Sequence, residues 1–197
     1  MANTAKFDRR QVLERATRLF WQKGFHATST RDLQQAIDMR PGSIYAAFGS
    51  KSGLFREVLH FYTEEMSERL QQCLAEEGAI LDGLRTFLRQ ILLQDGDNAP
   101  SELCLLAKSL SELDEGEAEL LSETRALLAA TEENFRCHLQ SAIAAGELSA
   151  QVDPGLLARQ LQVEMIGLRS YLRATGDRDA VRELADNLFA PLQPGSQ

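Results

Sequence analysis

Residues 28–51, TSTRDLQQAIDMRPGSIYAAFGSK, decide how this chain is organised. Thr28, Ser29 and Thr30 offer hydroxyls that can cap a helix, and Ser29 with Asp32 three residues on forms a loose capping box, Asp replacing the usual Glu or Gln. Leu33, Ala36 and Ile37 then fall on one helical face. Asp38-Met39-Arg40 is a short polar break. Pro41 suits the first position of a new helix, because its missing N–H would have no helical partner there. Ile44, Ala47 and Phe48 give that second helix an apolar face, and Gly49 ends it. Two short helices on a tight turn make a helix-turn-helix. The second helix of such a unit enters a DNA major groove with its N-terminal residues toward the base edges.

The flanks extend the pattern. GFHATSTRDL (24–33) followed by RPGSIYAAFGSKSGLF (40–55) resembles the DNA-binding motif of TetR/AcrR-type transcriptional regulators. The matching positions are Gly24, Phe25, Thr28, Ser29, Gly42, Tyr45, Phe48, Lys51, Leu54 and Phe55. The resemblance covers roughly residues 8–60; beyond them only length and helical character match. Two positions depart from the family pattern. Asp38 stands where a Gly is common, and Arg40 where a small capping Ser is common, so the second helix lacks its usual cap.

Charge separates the head from the rest. The whole chain carries a net charge of -8, which taken alone argues against nucleic acid. Residues 1–60, however, hold ten Lys/Arg against five Asp/Glu, a net of +5, and the remainder holds 11 basic against 24 acidic residues. A basic head on an acidic body fits DNA binding by the head alone. A charged fraction of 25% with an apolar fraction of 44% is that of a soluble globular protein. No apolar run spans a bilayer. MANTAKFDRRQ has no apolar signal core, so a cytoplasmic location with no membrane partner is expected. Cys73, Cys104 and Cys137 are odd in number and far apart, which suggests neither a disulfide framework nor a zinc ribbon.

Outward from the motif, every segment reads as helix. Residues 8–23 place Val12, Leu13, Ala16, Leu19 and Phe20 at helical spacing, with Gly24 as the stop and Trp21 and Phe25 as plugs of a three-helix core. Residues 1–7 read as a loose arm. Ser50 caps a long fourth helix over 51–76, with Leu54, Phe55, Val58, Leu59, Tyr62, Met66 and Leu70 on one side. Further helices are expected over 79–94, 101–113, 117–145, 154–174 and 178–188, with DGDNAP (95–100) as a loop, ELDEGEAE as an acidic connection and PLQPGSQ as a frayed tail. The fold class is all-α: an N-terminal three-helix helix-turn-helix DNA-binding domain (1–50) and a C-terminal helical ligand-binding and dimerisation domain (51–197).

Candidate roles follow from position. Amides and hydroxyls of Thr28, Ser29 and Thr30, at the start of the first motif helix, can hold a phosphate where the helix dipole is positive. The resemblance implies that Tyr45 and Lys51 clamp the DNA backbone. Base readout falls by position to Arg40, Gly42, Ser43 and Ala46. Arg40 either pairs in bidentate fashion with a guanine edge or grips phosphate, and Gly42 lets the backbone approach the DNA closely.

The body has no Gly-rich phosphate loop, no HExxH and no G-x-S-x-G, so no enzyme, metal or cofactor is expected. His26, His60 and His138 are scattered without metal-ligand spacing. The resemblance implies instead a pocket for a small-molecule effector among helices 4 to 8. Phe61, Phe87, Ile91, Cys104, Lys108, Phe135 and Met165 are its candidate walls, each of them equally readable as core. A buried Lys108 would favour an anionic ligand. Cys104, one turn from Lys108, is also a candidate redox thiol, which would need access and a cationic neighbour. In LLARQLQVEMIGLRSYLRAT (156–175), Leu157, Leu161, Met165, Leu168 and Leu172 form one stripe, widened by Val163, Ile166 and Gly167; Val181, Leu184, Leu188 and Phe189 form a second. Paired across a two-fold axis, these would make a four-helix homodimer interface. The expected function is a homodimeric transcriptional regulator, a repressor released from palindromic double-stranded operator DNA by an effector; the alternative is a regulator sensing oxidants through a cysteine thiol.

Overall fold

A computed structural model describes residues 8–94 and 103–189. Nine α-helices account for most of the described residues, with no strand among them: α1 Arg9–Lys23, α2 Thr30–Ile37, α3 Pro41–Phe48, α4 Lys51–Glu77, α5 Ile80–Arg89, α6 Leu105–Glu112, α7 Ala118–Ala144, α8 Pro154–Thr175 and α9 Arg178–Asn187. The expected arm (1–7, including Lys6), the DGDNAP loop, the first two residues of the sixth expected helix and the PLQPGSQ tail lie outside the described residues.

Local chemistry sets the boundaries. Asp8 caps α1 by accepting from the Gln11 amide at 3.2 Å. Ser29 and Asp32 form the reciprocal capping box of α2. Asp38 ends α2 in the left-handed region at φ 53°, where a side chain is tolerated but glycine is favoured. Arg40 stands at the start of α3 with no side-chain cap, and Pro41 takes the first turn. Ser50 caps α4, and Asp153 with Pro154 opens α8.

Three boundaries differ from expectation. The helix expected to end at Gln94 narrows to α5 and then widens into a π turn over Gln90–Gln94, where Arg178 donates to the Leu93 carbonyl from α9. The sixth helix starts only at Leu105, because Leu103 and Cys104 are drawn out of helical register and Trp21 Nε1 bonds the Leu103 carbonyl. A 3₁₀ turn, Glu115–Glu117, capped by Asp114, precedes α7.

Two apolar clusters make the interior. One gathers Leu70 and Cys73 of α4 with α5, the π turn, the second half of α7, and α8 and α9; Leu84, Ile91, Leu139, Leu161 and Phe189 sit at its centre. The other gathers α1, α2, α3 and the first half of α4 (Phe20, Leu33, Ile44, Phe48, Phe55, Leu59), and Leu105, Leu106, Leu120 and Leu127 of α6 and α7 complete it. Phe55 packs edge-on to Phe20 at 4.8 Å and tilted on Phe25 at 4.9 Å, which fixes α4 to the head. Met66, on α4, touches both clusters. Thus α4 is continuous from the head into the body. Close packing also requires Gly83, since a Cβ there would lie 2.8 Å from the Leu74 backbone of α4.

Candidate nucleic-acid interface

The three helices of the head leave one face open. On α3, Ile44 and Phe48 point into the core, while Arg40, Gly42, Ser43, Tyr45 and Ala46 are exposed. An added Cβ at Gly42 would meet nothing within 4 Å, so nothing in the chain blocks close approach there. Tyr45 is 45% exposed, unusual for a large aromatic ring, and its hydroxyl lies 3.3 Å from the Thr30 hydroxyl at the start of α2. The first turn of α2 and the exposed side of α3 therefore meet at one patch. Free amides and a positive dipole end at α2, a phenol and an exposed guanidinium are the donors a phosphate backbone and a base edge accept from.

Three predicted contacts are engaged within the chain. Thr28 is fully buried, and its hydroxyl donates to the Gly24 carbonyl at 2.6 Å, so it closes the turn between α1 and α2 instead of facing a phosphate. Ser29 spends its hydroxyl on Asp32: it accepts from the Asp32 amide at 3.1 Å and donates to the Asp32 carboxylate at 2.6 Å. Lys23 bonds the same carboxylate at 2.6 Å, and that bond, with those from Ser29, holds Asp32 far below the usual carboxylate range. Lys51 is half-buried, with Nζ 4.5 Å from the centre of the Phe25 ring. Burial pushes its ammonium down, opposed by Glu117. As a backbone clamp Lys51 must swing off that ring.

The head is tied to the body through α6 as well as α4. Lys108 Nζ donates to the Trp21 and Gln22 carbonyls, each at 2.9 Å. These are among the last carbonyls of α1, where a cation also meets the negative end of the helix dipole. Lys108 therefore caps α1, and its ammonium is spent on those carbonyls. Glu112 accepts from the Phe25 amide at 2.7 Å, and its carbonyl bonds His26 Nε2 at 3.0 Å. A Cβ at Gly24 would meet this carboxylate well inside contact distance and Gly24 has φ 87°, so a side chain there would be strained and would push Glu112 aside. Trp21, half-buried, stands edge-on to Tyr62 at 5.2 Å with the buried Arg169 guanidinium 5.5 Å from its ring. These junction residues were missed from sequence, because Lys108 and Glu112 become recognisable only when α6 is laid on the end of α1.

The other predicted walls divide. Phe87 and Phe135 approach edge-on at 6.1 Å and line a cavity of about 230 Å³ between α4, α5 and α7, with Thr63, Met66, Ser67, Leu70, Ala130, Thr131 and Asn134. Ile91 and Met165 are packed in the body cluster, and Phe61 stands under the Arg10 guanidinium at 6.0 Å; none of the three lines that cavity. Cys104 is buried outside it, and its sulfur accepts from the Tyr62 hydroxyl at 3.6 Å. Burial pushes the Tyr62 phenol well up. Among the described residues, no group of His, Cys, Asp and Glu is placed to hold a metal, and no helix is long and apolar enough to cross a membrane.

The association stripe is also corrected. Leu157, Leu161, Met165 and Leu168 are buried in the chain's own core, with Leu172 and Leu188 packed against it. One residue further round α8, Leu156 (62% exposed), Val163 (62%), Gly167 and Tyr171 face outward, as does Leu184 on α9.

Sequence and structure comparisons agree with this arrangement. A model of bacterial regulatory proteins of the tetR family matches residues 12–58, and a tetracyclin repressor-like C-terminal domain model matches residues 80–188. The HTH-type transcriptional repressor ComR of Escherichia coli is 29% identical over 183 residues, covering 91% of this chain and 86% of its own length. The uncharacterised HTH-type regulator YezE of Bacillus subtilis is 25% identical, covering 94% and 96%. A cysteine-substituted TetR family regulator, CifR, solved with 26-bp double-strand operator DNA, superposes with a TM-score of 0.85 at 26% identity, covering 97% of this chain and all of that one. A TetR regulator from Chloroflexus aurantiacus gives 0.79 at 25% identity over 94% of each chain. With its helix-turn-helix head and helical body both matched, the chain belongs to the tetR family of bacterial regulatory proteins, which are DNA-binding transcriptional regulators and not enzymes.

Proposed function

We propose that this protein is a homodimeric repressor that binds a palindromic operator through α2 and α3 and leaves it when a small molecule enters the body. The observation that carries this is the path of α4: a single 27-residue helix begins beside the reading helix and forms a wall of the apolar cavity. A ligand that favours a displaced α4 separates two heads that must match successive major grooves about 34–36 Å apart. The likeness to the repressor ComR and to CifR bound to operator DNA supports the DNA half of this reading. DNA contacts then fall to the Thr30 amide at the start of α2, Arg40, Gly42, Ser43, Tyr45, Ala46 and a relocated Lys51, while both the amide and the hydroxyl of Ser29 are held by Asp32. The ligand reading is favoured over oxidation at Cys104 because that thiol is buried and hydrogen-bonded, whereas a sensing thiolate must be accessible.

The test starts with a palindromic operator selected from genomic fragments. The protein should shift it in a salt-dependent manner. An effector should then weaken operator binding about 5–150-fold, and the operator should weaken effector binding by the same factor. Operator binding indifferent to every tight ligand of the body would defeat the effector half alone.

A further inference from the structure

We infer that the α4–α5–α7 cavity takes an uncharged, largely apolar molecule of about the size of a substituted benzene ring, carrying one hydrogen-bonding group, and that it acts as a wedge between α4 and α7. This deepens the effector reading and rests on it for the consequence at DNA, but not for the binding itself.

The seam between α4 and α7 shows why the cavity exists. Four polar pairs join the two helices, which run parallel. Arg56 bonds Glu119 at 2.9 Å and His60 bonds Glu123 at 2.6 Å, both with a sequence separation of 63. Asn134 donates to Ser67 at 3.4 Å and Gln71 to His138 at 3.2 Å, both with a separation of 67. Between the second and third pairs, therefore, α7 uses one more helical turn than α4. At about 1.5 Å per residue that is roughly 6 Å of extra path. The cavity lies where the register slips, between Thr63 and Ser67 on one side and Ala130, Thr131 and Asn134 on the other.

Its lining sets the ligand. Met66, Leu70, Phe87, Ala130 and Phe135 are apolar, and the polar members are Thr63, Ser67, Thr131 and Asn134. None of the nine is charged, so the lining offers an ion no counter-charge for the hydration it gives up on the buried side. The Thr63 and Thr131 hydroxyl protons are given to Leu59 and Leu127 carbonyls of their own helices, leaving oxygen lone pairs. The Asn134 amide makes one long bond to Ser67, which leaves it able to serve a ligand donor or acceptor. An apolar cavity of about 150 Å³ takes up benzene, so about 230 Å³ has room for a ring and a short polar substituent. Met66 lets the site adapt to shape. A molecule that takes the Asn134 amide for its own polar group draws it from Ser67, the bond that ties this part of α7 to α4.

The test uses benzyl alcohol, acetophenone and benzamide against benzoate and benzylammonium, at saturating concentration, with the intact protein. The neutral probes should raise the melting temperature by about 2–4 °C, and the two ions should not. Ser67→Phe, which fills the gap, should abolish the shift; Thr131→Met, a milder filling, should reduce it and serves if the first variant fails to fold. Asn134→Leu should cost benzamide about tenfold in affinity and leave plain toluene unaffected. Equal stabilisation by benzoate, shifts that survive both filling variants, or no binding by any probe would each overturn the assignment. Neutral probes that bind in the cavity yet leave operator affinity unchanged would keep the site and defeat the effector reading instead.

Discussion

The Glu112 carboxylate accepts a hydrogen bond from the Phe25 amide at 2.7 Å, across 87 residues of sequence. Phe25 belongs to the turn that launches the helix-turn-helix, and Glu112 ends α6 in the body. Lys108, four residues earlier on α6, holds the end of α1 at the same time. Head and body are thus joined through the continuous α4 and the polar clasp of α6, with Trp21 of α1 set against Arg169 of α8 beside them.

Glu112→Ala strips the Phe25 amide of its partner in a half-buried place. An unsatisfied donor costs about 1–3 kcal/mol. For a chain of this size each kcal/mol lowers the melting temperature by about 2–4 °C. Glu112→Gln, which can still accept, should recover most of that loss. If the two variants melt together at the wild-type temperature, the clasp holds nothing.

Lys51 carries a double prediction. In the free protein its ammonium rests on the Phe25 ring, an attraction of about 0.5–1 kcal/mol that can be given up for a phosphate. Lys51→Gln should weaken binding to every DNA sequence alike and shallow the salt dependence by about one unit of log K per log salt. Tyr45→Phe, which removes the hydroxyl beside Thr30, should also weaken all sequences but leave the slope unchanged. Gel shifts over a range of salt read both, and an unaltered slope for Lys51→Gln would remove the clamp role.

Sequence carried the elements whose cause is local. The capping box at Ser29, Pro41 at the first turn of α3, Ser50 before α4 and Asp153-Pro154 before α8 all sit where their chemistry placed them. What it could not carry was which of two neighbouring stripes faces inward. On α8, Leu157, Leu161 and Leu168 look like an interface because helical spacing marks a face without saying what covers it. The same limit applies to the pocket. Phe87 and Phe135 reach it, but Thr63, Ser67, Thr131 and Asn134 were invisible, because the register slip that exposes them is a relation between α4 and α7 and leaves no mark in either segment alone. Thr28 and Lys108 misled for the opposite reason: a hydroxyl and an ammonium are equally good at serving the chain's own carbonyls.

His138 should make stability fall in mild acid. Burial pushes its imidazole below the ordinary value of 6.5, and its Nε2 accepts from Gln71, which a charged ring could not do. A depressed folded value means the unfolded chain takes up the proton first. Stability from this group is therefore intact above about 6.5 and drains as the pH falls below it. His138→Gln should flatten the decline in melting temperature between pH 7 and pH 5 relative to wild type. Identical declines in both proteins would show that His138 titrates alike folded and unfolded.

The exposed side of α8 should carry the dimer. Leu156, Val163, Gly167 and Tyr171 recur at helical spacing on one outward face, and large apolar residues rarely line up in water without a partner. Gly167 has nothing within 4 Å of an added Cβ, so it leaves room for a second helix to approach closely. A two-fold axis through this face would set α8 and α9, with Leu184, of one protomer against the same helices of its partner. Val163→Glu should then yield folded monomers that no longer hold a two-half-site operator. Leu168→Glu, one face round, puts its charge into the chain's own core and should lower the melting temperature severely whatever the oligomeric state. Sedimentation and thermal melting separate the two effects. A Val163→Glu protein that sediments as an intact dimer would place the interface elsewhere, and a Leu168→Glu protein that stays folded but monomeric would restore the inner stripe as the contact.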